Sequence, residues 1–453
     1  MVPCFYIKIS QHIMKTFIFL LLTITLRISG QDAYSYPLKA SDNKRYLIDQ
    51  NGLPFFWAGD AAWSLIAQPD SEDVTFYLDD RQKKGFTILL VNLIEHKFCS
   101  HAPDNYYNDP PFSSTPFSTP NERYFLFADF VIQAAARRGI IVLLCPVYLG
   151  WNLGDEGWAA EVKSATNSEL RSWGQYVGER YSKYDNIIWC IGGDADPGPL
   201  REKILEVVKG IRETDNRHLF TSHSQPEVLA TAVWPKTDWM TINNVYSYSK
   251  TLYELCRKAY ESEPALPYFM MESAYENEHN STPQQLRAEA YRPVLCGSMG
   301  HIFGNCPVWH FSSVSGYCEL KDWKTQLNLE GSLSMDFMQR LFRSRPWYLL
   351  VPDFEHKVLT DGYGDWGSEK YSPAAITTDS TCMIAYLMAE SIVSIDLGRI
   401  SGITARCWWY DPRSGETIES GEYPTSGIHE FTKPSEFDWI LVIDNEESNY
   451  PMP

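Results

Sequence analysis

The chain has 453 residues, enough for one large core and a smaller second domain. Its 44% hydrophobic and 21% charged content is that of a folded globular protein. A formal charge of −18 argues against nucleic acid or an anionic membrane as a partner. Fifteen Trp and 27 Tyr suit flat, partly apolar ligands such as sugar rings, although a large barrel also buries many aromatics of its own.

The first stretch reads as a targeting signal rather than fold. Lys15 precedes the apolar run Thr16 to Leu26, too short to span a bilayer with margin, and Arg27-Ile28-Ser29-Gly30 leads into Gln31. The pattern predicts a secretory leader over residues 1–30, with Met14 as a natural start; an uncleaved anchor is the alternative. Losing Lys8, Lys15 and Arg27 with the leader takes the formal charge from −18 to −21. A secreted or periplasmic protein is expected, with no membrane and no obligate protein partner. Nine of the ten Cys remain once Cys4 is removed, an odd number that cannot pair completely. Cys145 and Cys190 lie in apolar, strand-like runs and read as buried thiols. No Cys-x-x-Cys or His-x-x-x-His occurs, so neither a metal nor a cofactor is expected.

From Arg45 to Arg345 short apolar runs alternate with longer amphipathic ones. The strand candidates are 55–59, 86–93, 140–148, 186–191, 219–222, 239–245, 268–271 and 300–309. Between them the pattern predicts helices over 71–84, with Ser71 as N-cap, and over 122–138, 168–181, 199–213, 251–261, 283–295 and 331–343. Eight such units over roughly 300 residues make a (β/α)8 TIM barrel, spanning residues 31–345. An open doubly wound sheet is the rival, but no Gly-x-Gly-x-x-Gly follows the first strand. After Pro346 short apolar runs are separated by turn signals such as Asp411-Pro412-Arg413-Ser414-Gly415, which predicts an all-β sandwich domain over residues 346–453.

In such a barrel the chemistry sits at the carboxyl ends of the strands. The run "NIIWCIGGDADP" (Asn186 to Pro197) carries a buried strand into two glycines and then Asp194. Three strands later, "PYFMMESAYE" (Pro267 to Glu276) ends its strand on Glu272. Two carboxyl groups on one rim are what glycosidic cleavage requires: one acid protonates the leaving oxygen, and one ionised group attacks or stabilises the anomeric centre. Asp194 is the expected general acid/base and Glu272 the expected nucleophile. Asp196 is the rival to Asp194, or else caps the following helix. Separations of about 5–5.5 Å fit retention and wider ones inversion. Other strand ends add Asp60, Trp63, Asn92, His96, Tyr148, Trp151, His223, Asn243, Tyr246, His301 and Trp309, a polar cup walled with aromatics that suits sugar recognition.

Four blocks, "RYLIDQNGLPFFWAGDAAW" (Arg45 to Trp63), "IIWCIGGDADP", "MMESAYE" and "GHIFGNCPVW" (Gly300 to Trp309), resemble the apiosidase-like catalytic domain typified by glycoside hydrolase family 140. The tail, from "RPWYLLVPD" through "WWYDPRSGE" to "SEFDWILVI", resembles the β-sandwich that usually follows it and is named for collagen binding. The resemblance implies a hydrolase using Asp194 and Glu272, and in the founding activity release of apiose from the pectic polymer rhamnogalacturonan II. Met271 stands where relatives commonly carry Gly. A non-catalytic glycan-binding protein on the same barrel is the alternative function. A protease has no supporting Ser-His-Asp or His-Glu-x-x-His pattern.

Overall fold

Eight apolar runs become parallel strands: β1 (Trp57–Ala61), β2 (Ile88–Asn92), β3 (Ile141–Cys145), β4 (Ile187–Gly192), β5 (Phe220–His223), β6 (Asn243–Tyr246), β7 (Tyr268–Glu272) and β8 (Gly300–Phe303). The computed structural model describes residues 34–248, 251–311, 318, 322–388 and 390–453; the expected leader lies outside the described residues. Every residue of these strands is buried, as expected when helices cover one side and packed side chains fill the other. Inside, Trp57 and Phe269 stack with ring centroids 4.0 Å apart.

The main covering helices are α1 (Ser71–Lys83), α2 (Glu122–Ala136), α3 (Asn167–Tyr181), α4 (Arg201–Thr214), α5 (Leu252–Glu261), α6 (Pro283–Leu295) and α7 (Glu330–Arg343). The cap of α1 is Asp70 rather than Ser71; its carboxylate accepts from the amides of Glu72 and Asp73. A capping box between Thr166 and Glu169 starts α3, and Thr282 followed by Pro283 starts α6. Four strands are shorter than the sequence predicts; the second runs only from Ile88 to Asn92. The third stops at Cys145 because Pro146 has no N–H for the ladder, the last stops at Phe303 before Pro307 and the turn Val308–His310, and the sixth begins only at Asn243.

Beyond the barrel lie β9 (Leu350–Pro352), β10 (Leu359–Asp361), β11 (Ala374–Thr377), β12 (Cys382–Leu387), β13 (Ile392–Asp396), β14 (Thr404–Tyr410), β15 (Thr417–Pro424), β16 (Ile428–Thr432) and β17 (Trp439–Asn445). They form a six-stranded sheet, order β9-β11-β12-β17-β14-β15, and a three-stranded sheet, order β10-β13-β16. Met383, Ala385 and Leu387 of β12 share a core with Val393 and Ile395 of the smaller sheet. The alternate residue Tyr386 turns the other way and stacks on Tyr291 of α6 at 5.3 Å. Both faces of the larger sheet are thus covered, so its central strands read as continuously apolar. Arg287 of α6 grips Asp438 through two hydrogen bonds of 2.8 and 2.9 Å, with both side chains buried, and Tyr386 donates to the same carboxylate at 2.9 Å.

The barrel strands pair in the order β5-β4-β3-β2-β1-β8-β7-β6, so the β5/β6 junction closes without a regular ladder. The amides of Thr241 and Ile242 donate to the Phe220 carbonyl at 2.9 and 3.0 Å. The buried Asn244 amide donates to Thr221 Oγ1 at 3.0 Å and to the Ser222 carbonyl at 2.6 Å. Removing that amide strips two hydrogen bonds from a buried seam. Asn244→Ala is therefore expected to cost about 1–3 kcal/mol and to lower the midpoint of thermal unfolding; an unchanged midpoint would show that the seam needs no side-chain closure.

Candidate active site

The end of β4 turns on three consecutive residues with positive φ: Gly192 (+89°), Gly193 (+152°) and Asp194 (+41°). Asp is among the few L residues that adopt this region without severe cost. A Cβ on Gly193 would stand 2.3 Å from the Tyr148 ring, so the glycine lets that ring lie against the strand end. Across the rim the β6/β7 ladder slips by one residue between Met270 and Glu272, a bulge of the kind that re-aims a side chain. These two irregularities place the carboxylates of Asp194 and Glu272 on one cavity of about 310 Å³, with oxygens within 4.8 Å of each other.

His223, at the end of β5, lies between them. The Asp194 backbone N–H donates to Nδ1 at 3.0 Å, so that nitrogen carries no proton and Nε2–H donates to Glu272 Oε2 at 2.9 Å. Burial pushes this imidazole down, and the Asp194 and Glu272 charges pull it up more strongly. Both ring nitrogens are engaged, which leaves no lone pair for a metal ion although the three side chains cluster closely. A second grouping, Cys306, His310 and Cys318, contains a Cys306–Cys318 disulfide, so its sulfurs are not thiolates.

Three phenols complete the network. Tyr148 donates to Asp194 Oδ2 at 2.6 Å, Tyr246 to Asp194 Oδ1 at 2.9 Å and Tyr248 to Glu272 Oε1 at 2.9 Å. The Tyr246 and Tyr248 oxygens are 3.0 Å apart. Burial pushes all three phenols well up, so they remain protonated donors. Asp194, Tyr246, Tyr248 and Glu272 thus form a continuous chain of oxygens. Burial and the adjacent Asp194 charge push Glu272 up, opposed by its bonds from His223 and Tyr248. Two carboxylates this close repel when both are ionised.

Of the residues singled out in the sequence, Trp63, Tyr148, Trp151, Asp194, Glu272 and Trp309 line the cavity. His223 and Tyr246 instead hold the carboxylates through hydrogen bonds. Five others do not line it. Asp60 is wholly buried and bonded to Arg81 and Tyr77, both at 2.5 Å, which fastens α1 to β1. Asn92 is buried at the end of β2. His96 packs edge-on against Trp158, with Glu161 at 3.4 Å. Asn243 accepts from the amides of Thr231 and Asn244. His301 is buried inside the barrel, where desolvation pushes it down to about 3. Strand-end position alone does not distinguish a side chain on the cavity from one beneath or beside it. Asp196 bonds Gly198 N and Arg201, capping the turn that leads into α4.

The sequence reading missed Phe98, Glu156, Tyr275 and Glu278, which also line the cavity. Glu278 accepts from Trp309 Nε1 at 2.9 Å, and burial pushes its carboxyl up to about 7. Its placement depends on buried Glu276, which accepts from Asn305 at 2.8 Å and Gly331 N at 2.7 Å and so holds the loop after β7. Nothing local in "SAYENE" marks which acid is anchor and which faces the cavity.

Comparison with known proteins agrees with this arrangement. The family model described as "Apiosidase-like, catalytic domain" matches residues 41–349, and one named for the collagen-binding domain of a collagenase matches residues 358–444. A crystal structure described as a glycoside hydrolase family 5 protein from Bacteroides vulgatus superposes with a TM-score of 0.81 at 22% identity, covering 92% of this chain and 95% of that one. Another solved structure, titled a glycoside hydrolase, gives 0.81 at 21% identity, covering 92% and 98%. No curated protein sequence matches. These two likenesses establish the fold: a TIM barrel carrying a C-terminal β-sandwich. With residues 41–349 matched, more than half of its length, the chain belongs to the apiosidase-like family and is a glycoside hydrolase.

Proposed function

We propose that the protein is an exported, retaining glycoside hydrolase that releases a terminal sugar, apiose, from pectic side chains, with Asp194 as general acid/base and Glu272 as nucleophile. The observation that carries this reading is the pair of carboxylates, within 4.8 Å of each other on one cavity and linked through the Tyr246 and Tyr248 hydroxyls. In the first step Asp194 gives its proton to the glycosidic oxygen while Glu272 attacks the anomeric carbon, and the leaving alcohol departs. In the second, Asp194 takes a proton from water as that water attacks the same carbon and Glu272 is released. The hydrogen bonds from His223 and Tyr248 stabilise the ionised Glu272 that attacks. The close approach of the carboxyl groups favours retention, which calls for about 5–5.5 Å rather than the wider gap of inversion. Trp63, Trp151 and Trp309 offer apolar faces for a sugar ring. Export is supported by the apolar run Thr16 to Leu26 and by the Cys306–Cys318 disulfide, which suits an oxidising compartment.

Incubation with depolymerised pectin side chains, with chromatography of the released monosaccharides against apiose, tests the substrate. Asp194→Asn is expected to lower kcat by about 10²–10⁴, and Glu272→Gln to abolish turnover, both with unchanged circular dichroism. Wild-type rates in either variant remove that residue from its role. Proton NMR of the first-formed sugar is expected to show the substrate's anomer; the opposite anomer rules out the double displacement.

A pH prediction follows from Glu278. The folded protein holds its proton up to about pH 7, while the unfolded chain releases it near the ordinary glutamate value. Stability from this group is therefore present below that ordinary value and lost as pH rises toward 7. Glu278→Gln, which cannot ionise, is expected to raise the unfolding midpoint at pH 8 and leave it nearly unchanged at pH 4. An equal shift at both values would show that charge at this position is immaterial.

A further inference from the structure

We infer that a second cavity, enclosed jointly by the barrel and the C-terminal sheets, is a subsite for a further neutral sugar residue of the same glycan. Its volume, about 300 Å³, is close to that of the catalytic cavity. The two sites meet at Tyr248, which lines this cavity while its hydroxyl donates to Glu272 Oε1 at 2.9 Å. From α6 come Gln284, Gln285, Glu289 and Arg292, and from the C-terminal part comes Ser368.

The lining matches hydroxyl groups, which both donate and accept. The Gln285 amide donates to Glu289 Oε1 at 2.9 Å, and the Ala274 amide to Glu289 Oε2 at 2.9 Å. Burial pushes the Glu289 carboxyl up. Arg292 is 7% exposed; its guanidinium donates to the Glu369 carbonyl, yet its buried Nε finds no acceptor among the described residues. An unpaired buried N–H of this kind is costly unless something else supplies the oxygen. Glu289 beside Arg292 disfavours an anion in the same space, and Tyr248 offers a ring face for a pyranose or furanose. Ser368 is held in place: Tyr371 N donates to its carbonyl at 3.1 Å, and Tyr253 of α5 donates to the Tyr371 carbonyl at 3.0 Å. The loop between β10 and β11 thereby contributes directly to the subsite.

This subsite rests on the hydrolase reading, so its test has two arms. Ser368→Trp fills the cavity, and Gln284→Ala removes one polar group should the first variant fold poorly. In the kinetic arm, kcat/KM is compared on a single-ring 4-nitrophenyl apioside and on depolymerised rhamnogalacturonan II. Ser368→Trp is expected to depress the oligosaccharide value at least tenfold more than the single-ring value, and Gln284→Ala severalfold more. Equal losses on both substrates overturn the subsite. The binding arm needs no turnover: calorimetry of the same oligosaccharides with Glu272→Gln, alone and combined with either substitution. A Kd weakened at least tenfold by Ser368→Trp supports the subsite, whereas an unchanged Kd, or no binding to Glu272→Gln at all, overturns it. If the wild type turns over neither substrate, the assigned activity fails and the binding arm alone decides the subsite.

Discussion

Two carboxylates held within 4.8 Å of each other in a largely buried site repel strongly, and the rest of the centre is arranged around that repulsion. Asp194 accepts two phenolic hydrogen bonds; Glu272 accepts one phenol and one imidazole N–H. Each donor stabilises a negative charge, and the Tyr246–Tyr248 contact joins the two sets of donors. His223 also ties the two ends mechanically, since its ring accepts from the Asp194 backbone and donates to the Glu272 side chain. That ring spans a fixed distance between the Asp194 backbone and the Glu272 carboxylate.

Holding that geometry requires rigid support, and the surrounding aromatics supply it. Trp63 packs against both Tyr148 and His223, with centroids 5.4 and 5.3 Å apart, and donates to Tyr275 at 3.3 Å. Phe98 contacts Tyr148 and Trp309. Trp63 thus lines the cavity and also fixes Tyr148, the phenol that donates to Asp194.

The C-terminal sheets are fastened to the barrel by contacts of a different kind. Buried Arg287 and Asp438 form a bidentate pair, and Arg345 pairs with Asp444 at 2.7 Å. Buried ion pairs contribute modestly to net stability because desolvation offsets attraction, but losing one partner leaves an uncompensated charge. Their directional geometry fixes how the larger sheet sits on α6, and so shapes the second cavity beside Tyr248.

The barrel, its eight strands and the two acids at the ends of β4 and β7 were legible in the sequence because they depend on local signals: apolar runs, caps and glycine punctuation. The same signals gave strand ends only to within a few residues, since Pro146 and Pro307 act through missing ladder bonds rather than through hydrophobicity. What only the tertiary structure decided was which polar strand-end residues reach the cavity. Asp60, Asn92, His96, Asn243 and His301 share the station of Tyr148 and Trp309 along the chain, yet pair with neighbouring elements or stay inside the barrel. Glu278 reaches the centre from a loop held by the distant partners Asn305 and Gly331, and Tyr248 from one pinned by Glu227. Hydrophobic periodicity records which side of an element is buried, but the direction of one side chain at a strand's end depends on bulges, positive φ angles and contacts far away in sequence.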